Sequence, residues 1–184
     1  MRKTSLPWCS ALFLAALGLT SPAQIKSFTL EEMVQTADGA VYGQIVGSHV
    51  IRVDSAIDGP ELYYTVLTLQ GRTLADNVAI TIDVYYRGGF VSATEGVFNS
   101  EAPAADDVAL GKKIVAFYRW SGDLGGGQAG NALVAAHGGL YRTVDGPRGP
   151  AVLGRGEGYA VRANERVEQL AAAVQLLSAQ KPKR

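Results

Sequence analysis

A chain of 184 residues, 47% of them hydrophobic, can bury the core of one domain of ordinary size and is short for two. Its 17 basic and 17 acidic residues leave no basic excess of the kind that nucleic-acid binders carry. The one cysteine, Cys9, excludes a disulfide scaffold, so stability has to come from apolar burial and backbone hydrogen bonds.

Arg2 and Lys3 precede an apolar run from Leu6 to Leu19, and Ser21-Pro22-Ala23 then puts small residues at the two positions a signal peptidase reads. This order predicts an export signal cleaved after Ala23. The run falls short of the ~20 residues of a spanning helix, and no second run follows, so no membrane insertion is expected. Cys9 lies inside the run rather than behind it, which gives a lipidated N-terminus no support. The expected product is a secreted or periplasmic single domain over residues 24–180, followed by a basic tail at 181–184.

Thr29-Leu30-Glu31-Glu32 has the capping-box form and predicts a short helix over about 30–37, with Leu30, Met33 and Val34 as its buried stripe. Residues 40–53 are rich in Val, Ile and Tyr and predict a long strand bent at Gly43 and Gly47. Asp58-Gly59-Pro60 marks a turn, and residues 62–70 return as the second strand of an antiparallel hairpin. Val78, Ile80, Ile82 and Val84 alternate with Ala79, Thr81, Asp83 and Tyr85, the pattern of a strand with one buried face. Residues 87–107 carry glycines, Pro103 and several acids without a period, which predicts a loop of unusual length for a compact domain.

A strand over 114–120, a glycine-rich segment over 121–131, and two short strands near 133–137 and 140–144 follow. Residues 145–158 read as turns. Asn164 is placed to cap a helix with Val167, Leu170, Ala171, Val174 and Leu177 on one face, ending near Gln180. Five or six strands with helices only at the two ends predict a mainly β fold: a partly closed antiparallel OB-like barrel with a short N-terminal helix and an amphipathic C-terminal one.

The succession Ala37-Asp38, Val41-Tyr42-Gly43-Gln44-Ile45-Val46, Tyr64-Thr65-Val66 and Leu110-Gly111-Lys112-Lys113-Ile114-Val115 resembles a diffuse group of exported bacterial proteins of unassigned function. Their outline is similar to the netrin-like and metalloprotease-inhibitor OB barrels. The inhibitors reach a protease metal through a disulfide-anchored N-terminal cysteine. Residues 24–184 contain no cysteine, so the resemblance implies a fold and not that mechanism.

No set of residues forms a catalytic signature. Gly125 to Gly130 fits G-x-G-x-x-G, but Gly138-Gly139 interrupts the following segment before a helix could receive a pyrophosphate, so a glycine loop is the expectation. His49 and His137 fall in separate predicted strands without a metal-binding spacing. Asp54 and Asp58-Gly59 read as a hairpin turn, because Ala56 and Thr65 stand where a calcium loop needs oxygen ligands. Tyr63, Tyr64, Tyr85 and Tyr86 read as core or cross-strand residues, with a stacking platform for sugars or bases as the alternative.

These readings converge on an exported, non-catalytic binding or protein-interaction module without a cofactor. Its partner, a protein or a small molecule, would be met by Arg87, Phe90 and Phe98 of the long loop. The opposing reading of that loop has both phenylalanines tucked back as a plug. Two other functions are an extracytoplasmic hydrolase using His137 or the acidic 95–107 segment, and a small outer-membrane barrel. Mass spectrometry of the exported protein is expected to show an N-terminus at Gln24, and a product that retains Trp8 would overturn the export signal.

Overall fold

The computed structural model describes residues 27–54 and 61–181. The predicted export signal, the tip of the predicted 54–60 turn and the last three residues lie outside the described residues.

Helix α1 (Leu30–Thr36) begins as its capping box dictates. Thr29 Oγ1 accepts the Glu32 N–H at 3.2 Å, and Glu32 Oε2 accepts the Thr29 N–H at 2.8 Å. Met33 and Val34 are buried, while Leu30 lies half-buried beside them.

Strand β1 (Gly39–Val53) pairs antiparallel with β2 (Leu62–Thr73) along its length, with a register shift between Ile45 and Gly47. Strand β2 in turn pairs antiparallel with β3 (Ala79–Arg87), from Arg72↔Ala79 to Tyr64↔Arg87. Between β3 and the next long strand lies a hairpin of two-residue strands, β4 (Gly89–Phe90) and β5 (Gly96–Val97), and then a 3₁₀ turn at Ala105–Asp107. Strand β6 (Lys113–Ser121) pairs with the first part of β1, and β7 (Gly130–Leu133) folds back on β6.

Two residue pairs, Val84↔Asn131 and Tyr85↔Ala132, join β3 to β7 in parallel and close the ring in the order β1-β2-β3-β7-β6. The result is the OB-like barrel, closed and mixed where an antiparallel arrangement was expected. Parity requires the difference: strand direction cannot alternate all the way round a closed ring of five, so one neighbouring pair must be parallel. Val41, Ile45, Leu67, Leu69, Val84 and Ile114 fill the interior.

Strand β6 is buried on both faces, which explains its unbroken Ile114-Val115-Ala116-Phe117 run. Ile114 and Ala116 join the interior cluster, whereas Val115 and Phe117 join a second core under the helices. That second core also receives β8 (Leu140–Gly146), which pairs with β6, and β9 (Gly149–Val152), its hairpin partner. Strand β10 (Glu165–Arg166) then leads into α2 (Val167–Ala179). Phe117 and Tyr141 meet edge to face at 6.2 Å in this layer.

The structure differs from the sequence expectations in the last third of the barrel. Strand β7 ends at Leu133, and Ala136–Gly139 forms a 3₁₀ turn after Ala135 takes a left-handed φ of 53°, so His137 stands in a turn rather than a strand. The supposed turn region contains β9. Asn164 does not cap α2: its Oδ1 accepts the Gly154 N–H at 2.9 Å, and Gln169 Oε1 accepts the Arg166 N–H at 3.1 Å at the helix start.

Val167, Leu170 and Val174 are buried on the inner face of α2, and Leu170 is fully so. Leu170→Ala is expected to destabilise the fold by about 2–5 kcal/mol in denaturant unfolding. An unchanged midpoint would make α2 an appendage rather than a wall of the second core.

Candidate binding site

The pairs Val53↔Leu62 and Tyr64↔Arg87 put the end of β1, the start of β2 and the end of β3 at one end of the barrel. The long loop after Arg87 therefore leaves the barrel beside the end of β1 and the start of β2. The glycine segment joins them: Gly126 has a φ of 57°, and a Cβ there would lie 2.5 Å from Val53 Cγ1. Tyr64 donates its hydroxyl to the Leu124 carbonyl beneath that segment. The G-x-G-x-x-G match thus forms a tight turn leading into a four-residue strand, without the helix a dinucleotide site requires.

The long loop is anchored at both ends by backbone. The Gly88 N–H donates to the Tyr63 carbonyl at 2.8 Å, and Thr65 Oγ1 donates to the Gly88 carbonyl at 2.7 Å. At its return, Ile45 exchanges hydrogen bonds with Lys112 and Gly111 at the β1 register shift. Asn99 stiffens the middle, donating to the Arg87 carbonyl at 2.9 Å and accepting the Glu101 N–H at 3.0 Å.

On this frame Phe90 is 54% exposed and Phe98 80% exposed. Neither ring belongs to the cluster that fills the barrel interior. Both border a concavity of about 590 Å³ with Val97, Val108 and Leu110, and Val97 and Leu110 are themselves exposed. Arg87 does not face this concavity. It borders a neighbouring cleft of about 300 Å³ together with Tyr64, Tyr85 and Tyr86, so the three predicted site residues divide between two adjoining depressions.

The tip of the β4–β5 hairpin is held by charge. Glu95 Oε1 accepts from Arg52 Nη1 at 3.2 Å and from the Tyr63 hydroxyl at 3.3 Å, while Glu61 accepts from both Arg52 and Tyr63. Burial of the Tyr63 phenol pushes its pKa up to about 12, reinforced by the hydrogen bond to Glu61 and by the charges of Glu61 and Glu95, with Arg52 opposing. Sequence reasoning missed this cluster, because Arg52 and Glu95 lie 43 positions apart and the members carry no motif.

The residues of the hydrolase alternative do not assemble. His137 Nδ1 lies 3.0 Å from the Glu101 carbonyl oxygen and Nε2 lies 3.3 Å from the Tyr159 hydroxyl, so neither contact is to a serine or a carboxylate. Arg155 stacks 4.7 Å over the Tyr159 ring and donates to the His137 carbonyl, which fixes the turn. Of the loop carboxylates, Glu95 faces Arg52 and Asp107 faces Arg142 at 3.3 Å, on separate parts of the surface. His49 stands exposed in β1 opposite Val66. Among the described residues no group of His, Cys, Asp or Glu is arranged to hold a metal ion.

Comparison with protein-family models, with curated proteins and with solved structures finds no match to this chain.

A raised Tyr63 pKa fixes the sign of a pH effect. The folded state holds the phenol neutral to about 12 and the unfolded chain ionises near 10.0, so the contribution is complete below the lower value and is lost as pH rises towards the higher. Denaturant midpoints are expected to fall across that window, and Tyr63→Phe to fall less. An identical alkaline decline in both proteins would remove Tyr63 as a contributor.

Proposed function

We propose that the protein is an exported, non-catalytic interaction module that presents the loop after β3 to a protein partner. The observation that carries this reading is the exposure of Phe90 and Phe98 on a loop whose backbone is fixed at both ends. Aromatic side chains around an apolar concavity are the usual anchors of a protein interface, and a fixed frame lowers the ordering cost of binding. The resemblance to netrin-like barrels fits an OB-like barrel with one helix at each end.

The two other functions have less support. The hydrolase reading lacks a serine or carboxylate on His137. An outer-membrane barrel of bacterial type is built from eight or more strands around a polar lumen, whereas this ring has five strands around Val41, Leu67, Leu69 and Ile114. Among the described residues no helix is long and apolar enough to cross a membrane.

Replacing Phe90 and Phe98 together by serine separates the interface from the plug. With a partner recovered by pull-down and then purified, the variant is expected to unfold at the wild-type temperature and bind at least about tenfold more weakly. Lost stability would restore the plug, and unchanged binding would remove the loop from the interface.

A further inference from the structure

We propose that the cleft at the end of the β3–β7 seam binds a neutral carbohydrate, at a site that adjoins the phenylalanine concavity and shares Tyr86, Asn99 and Ala102 with it but not the phenylalanines. The seam is only two residue pairs long. Past Tyr85↔Ala132, β3 continues to Arg87 while the chain after Leu133 turns away into the 3₁₀ turn, and the barrel wall parts. The gap is bounded by the end of β3, by residues 99–102 and by residues 121–124, and encloses about 300 Å³. That is the lower end of the range for ligand clefts, about 300–1,000 Å³.

The lining has a definite chemistry. Tyr85 and Tyr86 are half-buried and supply aromatic surface, and Arg87, Glu101 and Asp123 stand exposed at the rim. Among the described residues the Arg87 guanidinium and the Glu101 carboxylate have no hydrogen-bond or ion-pair partner, whereas Arg52, Lys113 and Arg142 are each paired with an acid. Asp123 uses Oδ1 to accept the Gly125 N–H at 2.7 Å. Opposite charges therefore share one cleft without neutralising each other. Glu101 is also placed by its backbone: its N–H donates to Asn99 and its carbonyl accepts the His137 N–H at 3.0 Å, which leaves the carboxylate free for a ligand.

These features select among ligands. Two carboxylates beside one guanidinium disfavour a phosphate, and the guanidinium disfavours a simple cation. A zwitterion has to give up the hydration of two charges of its own for ion pairs that solvent screens, which a neutral ligand does not. A sugar satisfies every wall: its hydroxyls donate to the carboxylates and accept from the guanidinium, while its C–H face lies against tyrosine.

The test uses the full mature protein and isothermal titration with maltose, cellobiose and N,N′-diacetylchitobiose, with glycylglycine and inorganic phosphate as competitors. At least one disaccharide is expected to bind saturably with a Kd of about 1 mM or tighter. Arg87→Gln and Glu101→Gln are each expected to weaken it about tenfold at unchanged thermal stability. The Phe90 and Phe98 double variant should bind the sugar as the wild type does, so loss of the protein interface and loss of the sugar site are distinguishable. No saturable disaccharide binding, sugar affinity indifferent to both cleft variants, or saturable binding of phosphate or glycylglycine alone would overturn the proposal.

Discussion

Strand β1 is shared by two partners, and the barrel closes through it. Residues 39–44 pair with β6 on one edge, residues 41–44 pair with β2 on the other as well, and beyond the register shift at Ile45/Gly47 the strand continues with β2 alone. Such sharing demands close backbone approach. Gly43 faces Gly71 across the β1–β2 ladder, and a Cβ on Gly71 would stand 2.1 Å from the Tyr42 carbonyl oxygen and 2.4 Å from Gly43 Cα. Only glycine satisfies that approach, so two residues with no side chain hold the curvature that a barrel of five strands needs. Ile45 is the last residue paired with β2 before the register shift, opposite Leu69, and on its other edge the returning loop at Gly111 and Lys112 takes up its N–H and C=O. The bend that closes the barrel is thus also the point where the long loop is tied down.

Closure by an odd number of strands carries a second consequence. The required parallel contact falls between β3 and β7, where it is shortest, and the cleft opens where it ends. Strand β6, next to the seam through its pairing with β7, has both faces buried, one in the barrel and one in the second core under the helices. The helices support the strand that has three pairing partners, β1, β7 and β8, and leave the seam uncovered. Depressions at the β3 end of the barrel therefore follow from the topology, before any ligand is considered.

The legible parts of this fold were those with local causes. The capping box at Thr29 and Glu32 is complete within four residues, and the alternation of Ile80, Ile82 and Val84 matches a strand with one sheltered face. The inner face of α2 was readable because 3.6-residue spacing places Val167, Leu170 and Val174 together. Strands of two residues, as in β4, β5 and β10, are too short to show a period, and β9 was hidden behind its turn residues. Asn164 had the right chemistry for a cap, and Gly154 claimed it instead. Among the site residues, exposure of Phe90 and Phe98 was readable only as one of two outcomes, since an apolar residue on a polar loop is equally suited to folding back. The division of Arg87 from the phenylalanines, and the convergence of Arg52, Glu61, Tyr63 and Glu95, depend on strand register across the barrel and carry no signal within any one segment.

The long loop raises a question of energetics that bears on its use. Ordering some twenty residues costs backbone entropy, and the loop's largest side chains contribute little burial against it, because Phe90 and Phe98 stay largely exposed. The loop is held instead by backbone hydrogen bonds at Gly88, Ile45 and Gly111, by Asn99, and by the charge cluster at Glu95. Exposed ion pairs contribute little singly, about 0–1 kcal/mol, so a tip held by two acids, a guanidinium and a phenol depends on their number. None of these contacts uses a phenylalanine ring. The side chains that face outward are thereby uncoupled from those that hold the loop, and a loop arranged in this way can vary what it presents without unfolding what supports it.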